Sequence, residues 1–331
     1  GSGTWRRRVH LVAGVGGFGR LADQVLEMAT RKFVTEGIPP AYATTMTYGS
    51  WQSPYCPDPR QFHDVTLQRL NQGCLFWVYI GHGQSSRLDY VQVPGGAFRI
   101  LDTDDAARFQ ALDGQPIALM LACYTGAFDR PTDCLAEVML RAEGGPIAAL
   151  CGSRVTMPYA MAVMCDALME EYFQSHCQTL GELLLRAKRK MVQDDPDNSR
   201  RLVLDALAMA ISPVRDQLPD ERQEHVLLFN LIGDPLLRMP HPRTITVSAE
   251  RNVTAGQSLS VALDSPVPGP ATVELVCRRD RSRTALPSRP KFHPTHEFLA
   301  SFNGPYREIN DPVWVARPLR LPAGSSKITL E

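Results

Sequence analysis

Two short apolar runs each end in a side chain able to take part in covalent chemistry. Residues 75–80 (Leu-Phe-Trp-Val-Tyr-Ile) run into Gly81-His82-Gly83, and residues 117–122 (Ile-Ala-Leu-Met-Leu-Ala) run into Cys123-Tyr124-Thr125-Gly126. A thiolate is the nucleophile of cysteine chemistry. An imidazole titrating near neutrality can take the thiol proton and later return it to a leaving group. Flanking glycines let a substrate backbone come close, and the Gly83 and Cys123 amides are natural donors to an oxyanion. A lone cysteine at a strand end is most often inert core. A histidine between two glycines is harder to read that way, because a buried imidazole needs a partner. Their occurrence at equivalent strand ends favours the catalytic reading.

The elements that must position this pair follow from the hydrophobic pattern. Strands are expected at 9–13, 41–47, 75–80, 117–122 and 146–151. Between and after them, helices are expected at 21–33, 62–70, 103–112, 131–141, 159–175, 179–193 and 199–211. Fully apolar strands alternating with helices predict an α/β fold, a mostly parallel sheet with helices on both faces. Such sheets bind ligands beyond the carboxyl ends of their strands, where His82 and Cys123 both fall.

The texture changes at Met239-Pro240-His241-Pro242. Twelve of the 26 prolines lie in 240–331, and the apolar residues there alternate: Ile245/Val247, Leu259/Val261/Leu263, Val273/Leu275/Cys277. Period-two runs broken by Gly and Pro predict a β-sandwich. The expected organisation is an α/β domain over 1–239 and a β-sandwich over 240–331, with the Arg- and Pro-rich stretch 278–310 as a long loop.

Composition narrows the function. The 331 residues carry 35 Lys+Arg against 35 Asp+Glu, without the basic excess of a dedicated nucleic-acid binder. No apolar stretch approaches the ~20 residues of a membrane span. No signal peptide is visible, and Gly1-Ser2-Gly3 reads as an expression scar, so the natural start is expected to be missing. The eight cysteines show no CxxC pair and no zinc-type Cys/His spacing, so neither a disulfide framework nor a metal site is expected. Gly14-x-Gly16-x-x-Gly19 matches a dinucleotide fingerprint, but 41–50 lacks the acidic residue that a ribose would need at the end of the second strand.

His-Gly after one strand and Ala-Cys after the next resembles the arrangement of caspase-fold cysteine peptidases, and more closely that of the gingipains. Three segments carry the resemblance: VYIGHG at 78–83, LACYTGAFDRPTDCLAEVMLRAEGG at 121–145, and FNLIGDPLLRMP at 229–240. It implies a caspase-like peptidase domain followed by an immunoglobulin-like sandwich. The implied activity is a cysteine endopeptidase with His82 and Cys123 as its dyad, acting on protein or peptide substrates without a cofactor. It further implies a possible pro-segment or activating partner, and location outside the cell or in its envelope. By the same resemblance Asp23, early in the first helix, sits at the base of a pocket for a substrate Arg or Lys, with 152–157, including Ser153 and Met157, as its wall. Gingipains carry an acidic residue in the turn after the first strand, close to the catalytic histidine; here that turn is Gly14-Val15-Gly16-Gly17, and the group orienting His82 is unassigned. Acyl transfer to an amine, as in gingipain-like sortases, and a non-catalytic interaction module are the alternatives.

Overall fold

The computed structural model describes residues 3–14, 36–212, 214–254, 256–279 and 281–330. It divides into two compact units, Gly1–Pro240 with Leu286–Asn310, and His241–Ala285 with Asp311–Glu331.

The first unit is built on a six-stranded sheet of order β2-β1-β3-β6-β7-β8. Its strands are β1 (Arg8–Ala13), β2 (Ala43–Tyr48), β3 (Phe76–Ile80), β6 (Ile117–Leu121), β7 (Ala148–Gly152) and β8 (Phe229–Ile232). A hairpin of β4 (Tyr90–Val93) and β5 (Gly96–Arg99) lies between β3 and β6 in sequence. The first five strands of the sheet pair in parallel, and β8 closes the edge antiparallel to β7. The central strands are apolar throughout because both faces are covered.

Alternate side chains feed two cores. Phe76, Val78, Ile117, Leu119 and Leu121 join one cluster with α3 (Pro158–Phe173) and α4 (Leu180–Val192). Trp77, Tyr79, Ala118 and Met120 join the other, with α1 (Phe62–Asn71) and α2 (Leu135–Arg141). Further helices are α5 (Ser199–Ile211) and α6 (Leu218–Leu228). The helix expected over 131–141 begins only at Leu135. Cys134 is extended at the N-cap, and the Glu137 carboxylate turns back to accept from its backbone N–H at 2.9 Å. The helix expected at 103–112 is a 3₁₀ segment, Thr103–Arg108. The first expected helix, 21–33, lies outside the described residues.

The stretch expected as a long loop, 278–310, carries α7 (His296–Ala300) and α8 (Asn303–Ile309), and its part from Leu286 to Asn310 belongs to the first unit. Its aromatic residues explain the difference. Phe292 packs against Trp51 with ring centroids 5.4 Å apart, and Phe298 against Phe302 at 5.2 Å. Arg289 is buried, lies 3.7 Å over the Phe302 ring, and donates to the Ser53 carbonyl at 2.6 Å. Asn310 holds the edge strand β2, accepting from Met46 N–H at 2.7 Å and donating to its carbonyl at 3.0 Å. Edge strands with unpaired backbone groups need such cover.

The second unit contains a three-stranded sheet of order β13-β10-β9 and a two-stranded ribbon of β11 and β12. These strands are β9 (Thr246–Ala249), β10 (Leu259–Ser265), β11 (Gly269–Val276), β12 (Val313–Leu321) and β13 (Gly324–Leu330). Val261, Leu263, Leu321 and Leu330 form its small core.

Candidate active site

β3 and β6 are adjacent and parallel, with Ile80 in register with Leu121. His82 and Cys123 each lie two residues beyond that pair, so the register delivers them to one end of the sheet at one level. The two loops touch. A Cβ added to Gly83 would stand 2.7 Å from the Cys123 carbonyl oxygen and 2.9 Å from the Thr125 methyl. Only glycine permits that approach. Tyr124 takes φ 58°, a left-handed conformation that costs a non-glycine residue energy and clusters at functional sites. It turns the chain sharply just after Cys123.

Cys123 differs from most of the other cysteines. It is partly exposed, whereas Cys56, Cys74, Cys134, Cys151, Cys165 and Cys177 are buried; Cys277, also partly exposed, lies in the second unit. Burial pushes the Cys56 thiol up to about 12 and the Cys151 and Cys165 thiols higher still, so these groups stay protonated. Cys151 and Cys165 are core residues.

The loop after β7 completes the surroundings of the thiol. The Thr156 backbone N–H donates to Cys123 Sγ at 3.2 Å, and the thiol faces the Thr156 carbonyl at 3.6 Å. The loop is pinned at both ends. Ser153 donates from both N–H and hydroxyl to the Leu228 carbonyl, at 2.9 and 3.1 Å. Met157 N–H donates to His225 Nε2 at 2.8 Å, while His225 Nδ1 donates to the Glu221 carbonyl at 2.6 Å. That tautomer is neutral, and burial lowers the His225 pKa. Arg154 turns to the loop after Cys123, where its guanidinium grips Asp129 through two bonds of 3.1 and 2.6 Å. Ser153 is thus occupied in holding the loop, and the Met157 side chain is exposed. Asp23 lies outside the described residues, as does the Gly-rich turn beyond Gly14.

Two neighbours of His82 escaped the sequence reading. Tyr79, buried in β3, donates its hydroxyl to the His82 carbonyl at 2.8 Å and accepts from Asp89 N–H at 3.3 Å. Asp89 is half-buried. Burial raises its carboxyl pKa, against the bond from Tyr90 N–H and the nearby charge of His82. Tyr79 was visible only as one more apolar strand residue, and Asp89 had no motif around it.

A thiol and an imidazole just beyond the ends of adjacent parallel strands are groups that cysteine hydrolysis uses. The profile of peptidase family C25 matches residues 1–240, more than two thirds of the chain. The chain belongs to that family, a family of cysteine peptidases. Among solved structures it is similar to the Arg-specific cysteine proteinase gingipain R, at 16% identity and a TM-score of 0.47 over 81% of this chain and 57% of that one. A complex of the Porphyromonas gingivalis RgpB pro- and mature domains gives 15% and 0.46 over the same shares. A structure described only as a protease gives 11% and 0.38, over 81% of this chain and 86% of that one. The chain spans 57% of the length of the two gingipain chains it matches. No curated protein matches it.

Proposed function

We propose that this protein is a cysteine endopeptidase in which Cys123 is the nucleophile and His82 its proton partner. His82 takes the thiol proton, and the thiolate adds to the scissile carbonyl carbon. The resulting oxyanion sits between the Gly83 and Cys123 amides. As the C–N bond breaks, the imidazolium gives its proton to the departing amine, leaving a thioester on Cys123. Water, deprotonated by His82, attacks the thioester and restores the thiol as the acid product leaves. Tyr79 and Thr156 fix the two partners, one through the His82 carbonyl and the other at the sulfur. The observation that supports this reading is the pairing of Ile80 with Leu121, two residues before His82 and Cys123.

We further infer cleavage after Arg, or Lys. Asp23 at the pocket base would hold a guanidinium through a two-pronged, charge-assisted pair, and the loop from Ser153 to Met157 would form the wall. Arg154, within that wall, would repel a basic substrate if its charge faced the pocket. Its pairing with Asp129 removes the objection. Peptides differing only at the residue before the scissile bond, tried on wild type and Asp23→Asn, test this. An Arg preference weakened in Asp23→Asn supports it; a preference for Asp or an apolar residue overturns it.

A further inference from the structure

The turn after β1 supplies no carboxylate to His82 at Gly14-Val15-Gly16-Gly17. A carboxylate arrives at that place from another direction. Residues 83–88 fold into a miniature hairpin, in which Gly83 bridges Leu88 antiparallel and Gln84 N–H donates to the Arg87 carbonyl at 2.8 Å. The next cross-strand pair outward from Gly83 and Leu88 is His82 with Asp89. Directly opposed residues of an antiparallel pair project to one face, with Cβ atoms about 5 Å apart.

Asp89 is held firmly at this spot. Its Oδ1 accepts from Tyr90 N–H at 2.7 Å, its carbonyl accepts from Ile100 N–H at 3.2 Å, and its N–H donates to the Tyr79 hydroxyl at 3.3 Å. The same hydroxyl donates to the His82 carbonyl, so one buried phenol ties the two residues together. The carboxylate also reaches the end of β1: a Cβ built on Gly14 would stand 3.6 Å from Asp89 Oδ2. A Cβ at Gly14 would touch Asp89 at ordinary contact distance and crowd the Tyr79 hydroxyl at 3.0 Å.

The geometry points to Asp89 as the positioning carboxylate of His82, delivered by the hairpin after the histidine in place of an acid from the turn after β1. The inference rests on the peptidase reading of His82 and Cys123. The Asp89 carboxyl feels the charge of His82, and the Tyr79 phenol from β3 is bonded to the backbone of both residues. Burial drives the Tyr79 phenol's pKa up, so it stays neutral. An ionised Asp89 favours the imidazolium, and with it the thiolate–imidazolium pair that starts the reaction. The half-buried setting strengthens this over the same pair in open water.

The test uses the full chain carrying Cys123→Ala, which removes the thiol and with it any titration of Cys123. The His82 imidazole is titrated by histidine-labelled NMR and assigned by its loss in His82→Gln. Asp89→Asn lowers the His82 pKa by on the order of one unit, and Asp89→Glu restores most of it. In protein with Cys123 intact, the alkaline limb of kcat/KM moves down by the same amount in Asp89→Asn. A simple loss of structure would lower the rate without moving that limb. If Asp89→Asn does not fold, the reciprocal measurement decides: His82→Gln raises the Asp89 carboxyl pKa, read by carboxyl NMR. Unmoved titrations in a folded, active protein overturn the role of Asp89 and leave the dyad standing. A shifted His82 in a protein that cleaves no peptide places Asp89 correctly and overturns the peptidase reading instead.

Discussion

Gly83 packs on Cys123 so closely that a Cβ at residue 83 would stand 2.7 Å from the Cys123 carbonyl oxygen. The Ala122 Cβ, at 2.9 Å, blocks the same volume, so no flexible side-chain end can move aside. Gly83→Ala is therefore expected to push apart the loops that carry His82 and Cys123. Misplacement by about 1 Å can cost on the order of 100-fold in rate. The check is kcat/KM beside a thermal melt: a large rate loss with a modest Tm change is expected, and full activity would show that the loops are not held by this contact.

Cys123→Ala is expected to abolish turnover, a loss on the order of 1,000-fold or more, while leaving Tm nearly unchanged. The partly exposed thiol contributes little packing. His82→Ala is expected to cost a similar factor, since members of one catalytic unit are not additive. Cys151→Ala is the contrasting control. Its sulfur would stand 2.3 Å from a Cβ on Gly126, so it fills packed core; its loss is expected to lower stability by about 1 kcal/mol and spare the chemistry. Retained turnover in Cys123→Ala would move the nucleophile elsewhere.

Arg289→Met is expected to destabilise the first unit. The guanidinium donates to the carbonyls of Ser53 at 2.6 Å, Trp51 at 3.3 Å and Phe302 at 3.4 Å, and methionine satisfies none of them. Each buried acceptor left unpaired costs roughly 1–3 kcal/mol. A chain ending at Pro240 loses Arg289, the aromatic cluster and the Asn310 clasp on β2 together. It is expected to unfold at a markedly lower denaturant midpoint than the full chain, or not to fold. A truncated protein as stable as the full chain would make the 286–310 segment an ornament.

Acid is expected to weaken the fold through two buried histidines. Burial, helped by Arg69 and Arg8, lowers the His10 pKa from 6.5 to about 3, and burial lowers that of His225. Each binds a proton more readily when unfolded. Their neutral forms are therefore compatible with the fold above ~6.5, and stability is lost as pH falls from there toward 3, by about 1.4 kcal/mol per pH unit for His10 alone. Denaturant titrations across that range should show a shallower pH slope in His10→Gln. An unchanged slope would remove His10 from the account.

The sequence made His82 and Cys123 legible because each ends an uninterrupted apolar run, and central parallel strands need such runs to cover two faces. What stayed hidden depends on contacts between distant residues. Thr156 meets Cys123 only because the loop after β7 bends back from 33 positions away. Asp89 meets His82 through a hairpin too short to leave a periodic signal. The segment from Leu286 to Asn310 reads as a loop because its prolines and arginines mask a row of aromatics spaced over two short helices. β8 and α6 went unread because α6 gathers its charges at Asp220, Glu221, Arg222 and Glu224 and its apolar residues at its ends, so no stripe forms.

The central claim is that Cys123 becomes acylated by a peptide under the control of His82. A short peptide ester with Arg at its acyl end is mixed with the full chain, quenched in acid during turnover, and the protein digested and weighed. The account predicts one acyl group, carried by the peptide that contains Cys123, in wild type and not in His82→Ala. Release of product with the acyl group on another residue, or acylation of Cys123 that is undiminished in His82→Ala, would contradict it.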